Sequence, residues 1–129
     1  MGSKGIRVLV VEDNPSDVRI LREAFATYPK DTFDPVYETC LQGALQRLSR
    51  EKFEAILLDL FLPDAFGLET LQRVQEVRAG IPIVVWTGLH DQRTALQALE
   101  LGARCYLVKD FLEPSALIKA LRGYVTQEK

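Results

Sequence analysis

The segment Ala55–Leu60, with the sequence AILLDL, decides which fold this chain can adopt. Four consecutive apolar residues precede an aspartate. Apolar and polar residues do not alternate here, as they would in a strand with one solvent-exposed face. The segments Ile6–Val11 and Ile81–Trp86 share this nearly continuous apolar character. Strands that are apolar on both faces belong to parallel sheets that helices cover on both sides. The three segments therefore predict a buried parallel sheet.

Two weaker strands and five helices complete the pattern. The strands are predicted at Asp34–Glu38 and Cys105–Val108. The helices are predicted where apolar residues recur every three or four positions, at Asp17–Tyr28, Leu41–Leu48, Gly67–Val77, Thr94–Leu101 and Pro114–Val125. This alternation predicts an α/β fold with a doubly wound, five-stranded parallel sheet, (βα)5. We expect one domain at residues 6–125, after a start at residues 1–5 that is a tag or disordered, and before a tail at residues 126–129.

The composition excludes several classes of function. The chain has 129 residues, 47% of them apolar and 26% charged, which suits one soluble domain. Its 16 Lys and Arg residues are dispersed and the net charge is -2, which argues against direct nucleic-acid binding. One histidine and the separate Cys40 and Cys105 argue against a structural zinc site. No apolar run has the length of a membrane span, so we expect a cytoplasmic protein with reduced thiols.

Charged and hydroxyl side chains stand at the carboxyl ends of the predicted strands. They are Glu12 and Asp13 after the first strand, Asp59 at the end of the third, Thr87 after the fourth and Lys109 after the fifth. In a doubly wound sheet ligands bind outside these ends. Crowded carboxylates repel each other, and a site made of oxygen ligands suits Mg²⁺. Asp59 can then act as a nucleophile toward a phosphoryl group, whose charge Lys109 and Thr87 help to neutralise.

Most of these side chains also have an ordinary structural explanation. The acids at 12 and 13 could cap the next helix, and Thr87 before Gly88 could be a turn residue. Lys109 alone could be a surface lysine. Asp59 differs, because an unpaired charge in so apolar a segment would be costly to bury. The agreement of all five on one edge of the sheet is what favours a functional site.

Four motifs in this order resemble those of the receiver domains of bacterial response regulators. They are Ile6–Asn14, Asp59–Asp64 with Gly67, Thr87–Gly88 and Tyr106–Lys109. Each fragment alone is weak, but their combined order and spacing are specific. The resemblance covers residues 5–125 and implies the strand order 2-1-3-4-5.

The resemblance also implies how the site works in two-component signalling. Asp59 would accept a phosphoryl group from a histidine kinase or a phosphotransfer domain. Asp13, Asp59 and the backbone carbonyl of Phe61 would bind Mg²⁺, with Glu12 acting through water. Lys109 would contact the phosphoryl oxygens. The domain would catalyse only its own phosphorylation and dephosphorylation, and it would not be an enzyme toward other substrates.

A conformational switch is implied by the same resemblance. Thr87 would turn toward the phosphoryl group and Tyr106 would move inward, which changes the surface offered to a downstream protein or a fused output domain. Tyr106 is equally well explained as a half-buried aromatic residue of a strand with its hydroxyl at the edge. A homodimer through the fourth and fifth helices is left open.

Two positions depart from the family pattern. Glu12 stands where the family often has aspartate, and Asp110 stands where it usually has a proline whose peptide bond is commonly cis. The second departure leaves the geometry after Lys109 open, and with it an alternative function as a phosphorylation-independent protein-binding module. Phe61 and Leu89 are apolar at positions that can line the route of attacking water, so we expect slow autodephosphorylation.

Overall fold

Strands and helices alternate along the chain in the computed structural model, which describes residues 5–111 and 113–127. The strands are β1 (Ile6–Val11), β2 (Phe33–Glu38), β3 (Ala55–Leu58), β4 (Phe61–Leu62), β5 (Ala65–Phe66), β6 (Ile83–Thr87) and β7 (Cys105–Val108). The helices are α1 (Pro15–Ala26), α2 (Leu41–Arg50), α3 (Leu68–Val77), α4 (Gln92–Glu100) and α5 (Pro114–Gln127), with a 3₁₀ turn at Lys109–Phe111. Within these described residues, every helix is too short or too polar to cross a membrane.

Five of the strands form one parallel sheet in the order β2-β1-β3-β6-β7. When the strands of this sheet are counted along the chain, the order is the predicted 2-1-3-4-5. The predicted fold class is therefore confirmed. The short strands β4 and β5 were not predicted, and they pair with each other in an antiparallel hairpin directly after β3.

The core lies on both faces of the sheet, as the continuous apolar strands require. Alternate residues of β1 face opposite sides: Val8 and Val10 pack with α1 and α5, whereas Leu9 and Val11 pack with α2, α3 and α4. All four side chains are at most 1% exposed. Complete burial of one such side chain contributes about 1.5–3 kcal/mol to the stability of the fold. A polar residue on either face of β1 would therefore be destabilising.

The ends of several elements differ from those predicted. Helix α1 begins at Pro15 because the Asn14 side chain accepts hydrogen bonds from two N–H groups of its first turn. Helix α4 likewise begins at Gln92, after the cap Asp91. Strand β3 ends at Leu58, so Asp59 lies just beyond it. Helix α5 extends to Gln127, two residues past the predicted end of the domain. Residues 1–4 and 128–129 of the predicted start and tail lie outside the described residues.

Candidate functional site

Five of the seven predicted site residues line one cavity at the carboxyl end of the sheet. This cavity of about 390 Å³ is lined by Glu12, Asp13, Asn14, Pro15, Asp59, Phe61 and Lys109. Glu12 is 2% exposed and Asp59 is 4% exposed, whereas Asp13 is exposed. The remaining two, Thr87 and Tyr106, contact the loop between β6 and α4. The predicted edge of the sheet thus holds the acids and the lysine together.

The loop between β1 and α1 fixes the orientation of Glu12. The N–H of Glu12 continues the pairing of β1 with β2 by donating to the carbonyl of Glu38 at 2.9 Å. Its carboxylate Oε2 accepts the N–H of Asn14 at 3.1 Å. Its other oxygen, Oε1, is buried without a well-aligned hydrogen bond. Because this oxygen is buried, a cation next to it would stabilise its negative charge.

Asp59 is held by main-chain contacts on both sides. Its N–H donates to the carbonyl of Val11 at 3.1 Å, which places it directly beside the end of β1. Its Oδ1 accepts the N–H of Phe61 at 3.1 Å, and its Oδ2 accepts a hydrogen bond from Lys109 Nζ at 3.1 Å. The carboxylate therefore has a fixed direction toward the cavity that Phe61 and Lys109 also line.

Lys109 contacts three carboxylates from three different elements. Its Nζ lies 2.7 Å from Asp17 Oδ2, 2.8 Å from Glu12 Oε1 and 3.1 Å from Asp59 Oδ2. Nζ also lies 5.0 Å from the centre of the Trp86 ring, within range of a cation–π interaction. Burial alone would lower the pKa of Lys109, but the contacts with Asp17, Glu12 and Asp59 outweigh it and raise the pKa. The lysine is therefore charged at neutral pH.

Glu12 is the acid whose ionisation the surroundings oppose most clearly. Burial raises the pKa of Glu12 to about 7, the contact with Lys109 opposes the rise, and the charge of Asp59 adds to it. Burial therefore works against the ionised form of Glu12, and Lys109 only partly compensates for it. A divalent cation beside it would favour the ionised form.

Glu12, Asp13 and Asp59 form a cluster that could hold a metal ion. Each offers a carboxylate oxygen, and these oxygens lie within 4.8 Å of one another. The donor set is made only of oxygen, the preference of hard divalent cations. It includes Glu12 Oε1, which forms an ion pair with Lys109 but has no well-aligned hydrogen bond. Phe61, whose carbonyl is the predicted additional ligand, lines the same cavity. The residues present therefore fit a divalent cation.

Thr87 and Tyr106 both form hydrogen bonds with the main chain of Leu89. Thr87 is fully buried, and its Oγ1 accepts the N–H of Leu89 at 3.4 Å. The Tyr106 hydroxyl donates to the carbonyl of Leu89 at 2.8 Å. The two predicted switch residues are therefore linked through the main chain of Leu89, at the start of the loop between β6 and α4.

The sequence left the geometry after Lys109 open. The Lys109–Asp110 peptide bond is trans. Asp110 Oδ2 lies 3.1 Å from His90 Nε2, so residue 110 joins the turn after β7 to the loop after β6. The absence of the family proline does not prevent Lys109 from reaching Asp59.

Two acids of the structure escaped the sequence analysis as contributors to this region. Asp17 was treated only as the start of a helix, yet it contacts Lys109. Asp64, in the turn of the hairpin, accepts the N–H groups of Leu41 and Gln42 at 2.8 and 2.9 Å and so caps α2. The available signal was weak: Cys40, the residue before α2, is a poor cap, which left those N–H groups in need of another acceptor.

The hairpin also exposes an aromatic pair beside the cavity. The rings of Phe61 and Phe66 meet edge to face with their centres 4.8 Å apart, and both residues are more than half exposed. Since Phe61 lines the cavity, its exposed ring is part of the surface around Asp59.

Comparisons with known proteins agree with this geometry. The model of the response regulator receiver domain family matches residues 8–122. The response regulator ArlR of Staphylococcus haemolyticus is 34% identical over 121 residues, which cover 94% of this chain and 53% of ArlR. This chain thus spans about half the length of that relative.

Solved structures show the same likeness. The N-terminal receiver domain of RstA from Klebsiella pneumoniae, in its BeF3-activated form, is 30% identical with a TM-score of 0.77, over 92% of this chain and 97% of that one. The phosphorylated cyanobacterial phytochrome response regulator RcpA is 25% identical with a TM-score of 0.75, over 93% and 91%. The sheet order, the acids at its edge and the family match lead to one conclusion: the chain belongs to the family of response regulator receiver domains.

Proposed function

We propose that this receiver domain takes a phosphoryl group onto the carboxylate of Asp59 from the phosphohistidine of a histidine kinase or a phosphotransfer domain. One observation carries the proposal: Asp59 is buried, yet its carboxylate lines a cavity beside the Lys109 ammonium and two further acids. Burial of a charge with such partners is typical of a reactive site. The phosphorylated state of RcpA and the BeF3-activated state of RstA support the same chemistry in relatives.

The transfer would form a bond between an Asp59 carboxylate oxygen and phosphorus. It would break the nitrogen–phosphorus bond of the donor, whose electron pair returns to the imidazole. The Phe61 N–H fixes one oxygen of Asp59, so the nucleophile needs little reorientation. Lys109, 3.1 Å from the other oxygen, would donate to the phosphoryl oxygens and neutralise their charge.

Mg²⁺ is the cofactor that we propose for this site. Asp13, Asp59 and the carbonyl of Phe61 would hold it directly, and Glu12 would act through water. A bound Mg²⁺ would supply positive charge to the carboxylates and to the transferring phosphoryl group. The support is the cluster of carboxylate oxygens from Glu12, Asp13 and Asp59, which lie within 4.8 Å of one another.

The proposed switch begins at Thr87. A phosphoryl group on Asp59 would draw the Thr87 hydroxyl away from its long hydrogen bond to Leu89. The loop after β6 would then shift, and Tyr106 would leave the Leu89 carbonyl and move inward. A small local change would thereby alter the surface of α4, β7 and α5. A downstream protein or a fused output domain would bind that surface.

Mass spectrometry of the intact protein tests the proposal. Wild type, Asp59→Asn and Asp31→Asn are each incubated with acetyl phosphate, with Mg²⁺ or with EDTA. Asp31 is an exposed acid in the loop between α1 and β2, so its variant is a matched control for loss of one carboxylate. We expect one added phosphoryl group on wild type and Asp31→Asn, only with Mg²⁺, and none on Asp59→Asn.

A second donor separates the proposal from its alternative. If acetyl phosphate leaves wild type unmodified, a phosphorylated histidine kinase with Mg²⁺ is used instead. A chain that stays unmodified by both donors while binding Mg²⁺ would contradict phosphoryl transfer. It would favour the phosphorylation-independent binding module.

A further inference from the structure

Of the three acids that contact Lys109 among the described residues, Asp17 has no role in the proposed chemistry. Its Oδ2 accepts a hydrogen bond from Lys109 Nζ at 2.7 Å, the shortest of the three carboxylate contacts of that ammonium. The side chains of Asp17 and Lys109 are 22% and 15% exposed, so water weakens this pair only in part. The contact joins the first turn of α1 to the 3₁₀ turn that follows β7.

The other two partners of Lys109 have a second task. Glu12 and Asp59 both belong to the cluster that could hold a metal ion, and Asp17 does not. A divalent cation in that cluster would attract the carboxylates of Glu12 and Asp59 and repel the nearby ammonium of Lys109. Asp17 is then the carboxylate that can still hold the lysine in place.

We propose that Asp17 is a positioning residue, which keeps the Lys109 ammonium beside the phosphoryl site while a divalent cation occupies the cluster of Glu12, Asp13 and Asp59. This inference rests on the proposed function and adds a residue to it. Asp17 touches neither Asp59 nor the cation cluster in the contacts of the described residues, so it acts through Lys109.

The local structure makes Asp17 suited to this role. Asn14 already caps α1, since its Oδ1 accepts the N–H groups of Ser16 and Asp17 at 2.9 and 3.1 Å. The Asp17 carboxylate is therefore not needed as the helix cap. Pro15 and this cap fix the first turn of α1, and the turn fixes the point from which the carboxylate reaches Lys109.

Lys109 needs such a support because its side chain is long and flexible. The Trp86 ring limits its movement on one side, with Nζ 5.0 Å from the ring centre. Glu12 and Asp59 limit it on the other side only as long as a cation does not engage them. Asp17 supplies the support that does not depend on the metal.

Charge and position predict opposite effects of removing Asp17, which makes the inference testable. If only the charge of Asp17 mattered, Asp17→Asn would speed the reaction with an anionic donor, because one repelling carboxylate is lost. If Asp17 positions Lys109, Asp17→Asn at saturating Mg²⁺ slows phosphorylation by acetyl phosphate, and we expect about tenfold. Glu23→Gln is the control, since Glu23 is a 73% exposed acid farther along the same helix.

The phosphorylation rates are measured from the time course of intact mass, in the wild-type background and in Lys109→Met. Asp17 should lose its effect once the lysine is absent, so Asp17→Asn should change the Lys109→Met rate by less than about twofold. If acetyl phosphate phosphorylates Asp17→Asn as fast as wild type, or faster, the inference is overturned. An equal slowing in both backgrounds would also overturn it, because it would show a general structural effect.

Amine labelling gives a readout that needs no phosphoryl transfer. The protein is treated with an acylating reagent in Mg²⁺, and peptide mass mapping compares Lys109 with the exposed Lys52 as internal reference. Asp17→Asn should raise labelling of Lys109 severalfold and leave labelling of Lys52 unchanged. Equal labelling of Lys109 in wild type and Asp17→Asn would contradict the inference that Asp17 holds the Lys109 ammonium in place. Wild type that takes no phosphoryl group would count against the proposed function, whereas labelling would still decide whether Asp17 holds the lysine.

Discussion

Asp64 offers the sharpest test of how the hairpin after Asp59 is joined to α2. It lies in the turn of the hairpin that follows Asp59, and its two carboxylate oxygens accept the N–H groups of Leu41 and Gln42 at 2.8 and 2.9 Å. Cys40, the residue before α2, offers only its sulfur, a weak acceptor, to the N–H of Gly43 at 3.4 Å. The substitution Asp64→Ala therefore removes the main acceptor at the N-terminus of α2.

The expected cost follows from the groups left behind. Loss of a capping side chain costs about 0.5–2 kcal/mol, and a negative charge at a helix N-terminus adds about 0.3–1 kcal/mol. Because Asp64 is exposed and water can replace part of its contacts, we expect Asp64→Ala to lower the free energy of unfolding by about 1.5 kcal/mol. Asp64→Asn keeps one acceptor oxygen and should lose about half as much.

Urea denaturation measures this loss. Trp86 is the single tryptophan of the chain and is buried, so its fluorescence reports unfolding. With a slope of about 1.5 kcal/mol/M, the midpoint for Asp64→Ala should fall by about 1 M. Glu76→Ala, at an exposed position of α3, is the control and should stay within about 0.5 kcal/mol of wild type. A loss below about 0.3 kcal/mol for Asp64→Ala would refute the capping role.

The same contact predicts a dependence on pH. Burial alone would raise the pKa of Asp64, but hydrogen bonds from the N–H groups of Gln42 and Leu41 lower it below its usual value. The stabilisation by the charged form is therefore complete above about pH 4 and is lost as the pH falls through the lowered pKa. The difference in stability between wild type and Asp64→Asn should accordingly shrink below about pH 4.

Three further predictions concern the cavity and the switch. Because burial raises the pKa of Glu12 from 4.5 to about 7, the metal-free domain should lose stability as the pH rises from about 4.5 through 7. The thermal unfolding midpoint in EDTA should show this loss in wild type and much less of it in Glu12→Gln. Phe61→Asn should speed loss of the phosphoryl group from Asp59 severalfold, because it brings a polar side chain to the cavity that attacking water must enter. The intact mass after removal of the donor measures this rate, and loss from wild type within seconds would contradict a protective role of Phe61. Tyr106→Phe should lower the free energy of unfolding by about 1 kcal/mol and speed amide exchange at Leu89 and its neighbours, because it removes the hydrogen bond to the Leu89 carbonyl; unchanged exchange would argue against that link.

The sheet could be predicted because its central strands have a strong and simple pattern. Segments such as Val8–Val11 are apolar at every position, which only burial on both faces explains. The edge strand β2 is half-buried along its whole length, and its weaker pattern led to a predicted start one residue late. The hairpin of β4 and β5 was missed because strands of two residues are too short to show a period.

The site could be predicted in part for a similar reason. Parallel strands bring their carboxyl ends together, so the acids after β1 and β3 and the lysine after β7 had to approach one edge. The contacts of Asp17 and Asp64 depend instead on how side chains reach across separate elements. Asp17 is 92 positions from Lys109 along the chain, and no local pattern encodes that pairing. Such contacts require the three-dimensional packing of α1 and of the hairpin.

The link through Leu89 has a consequence for how such a domain can diversify. Both hydrogen bonds that join Thr87 and Tyr106 to this residue use its main-chain atoms, an N–H on one side and a carbonyl on the other. Any amino acid other than proline supplies both atoms. The side chain at position 89 can therefore change while the hydrogen-bonded connection between Thr87 and Tyr106 is retained.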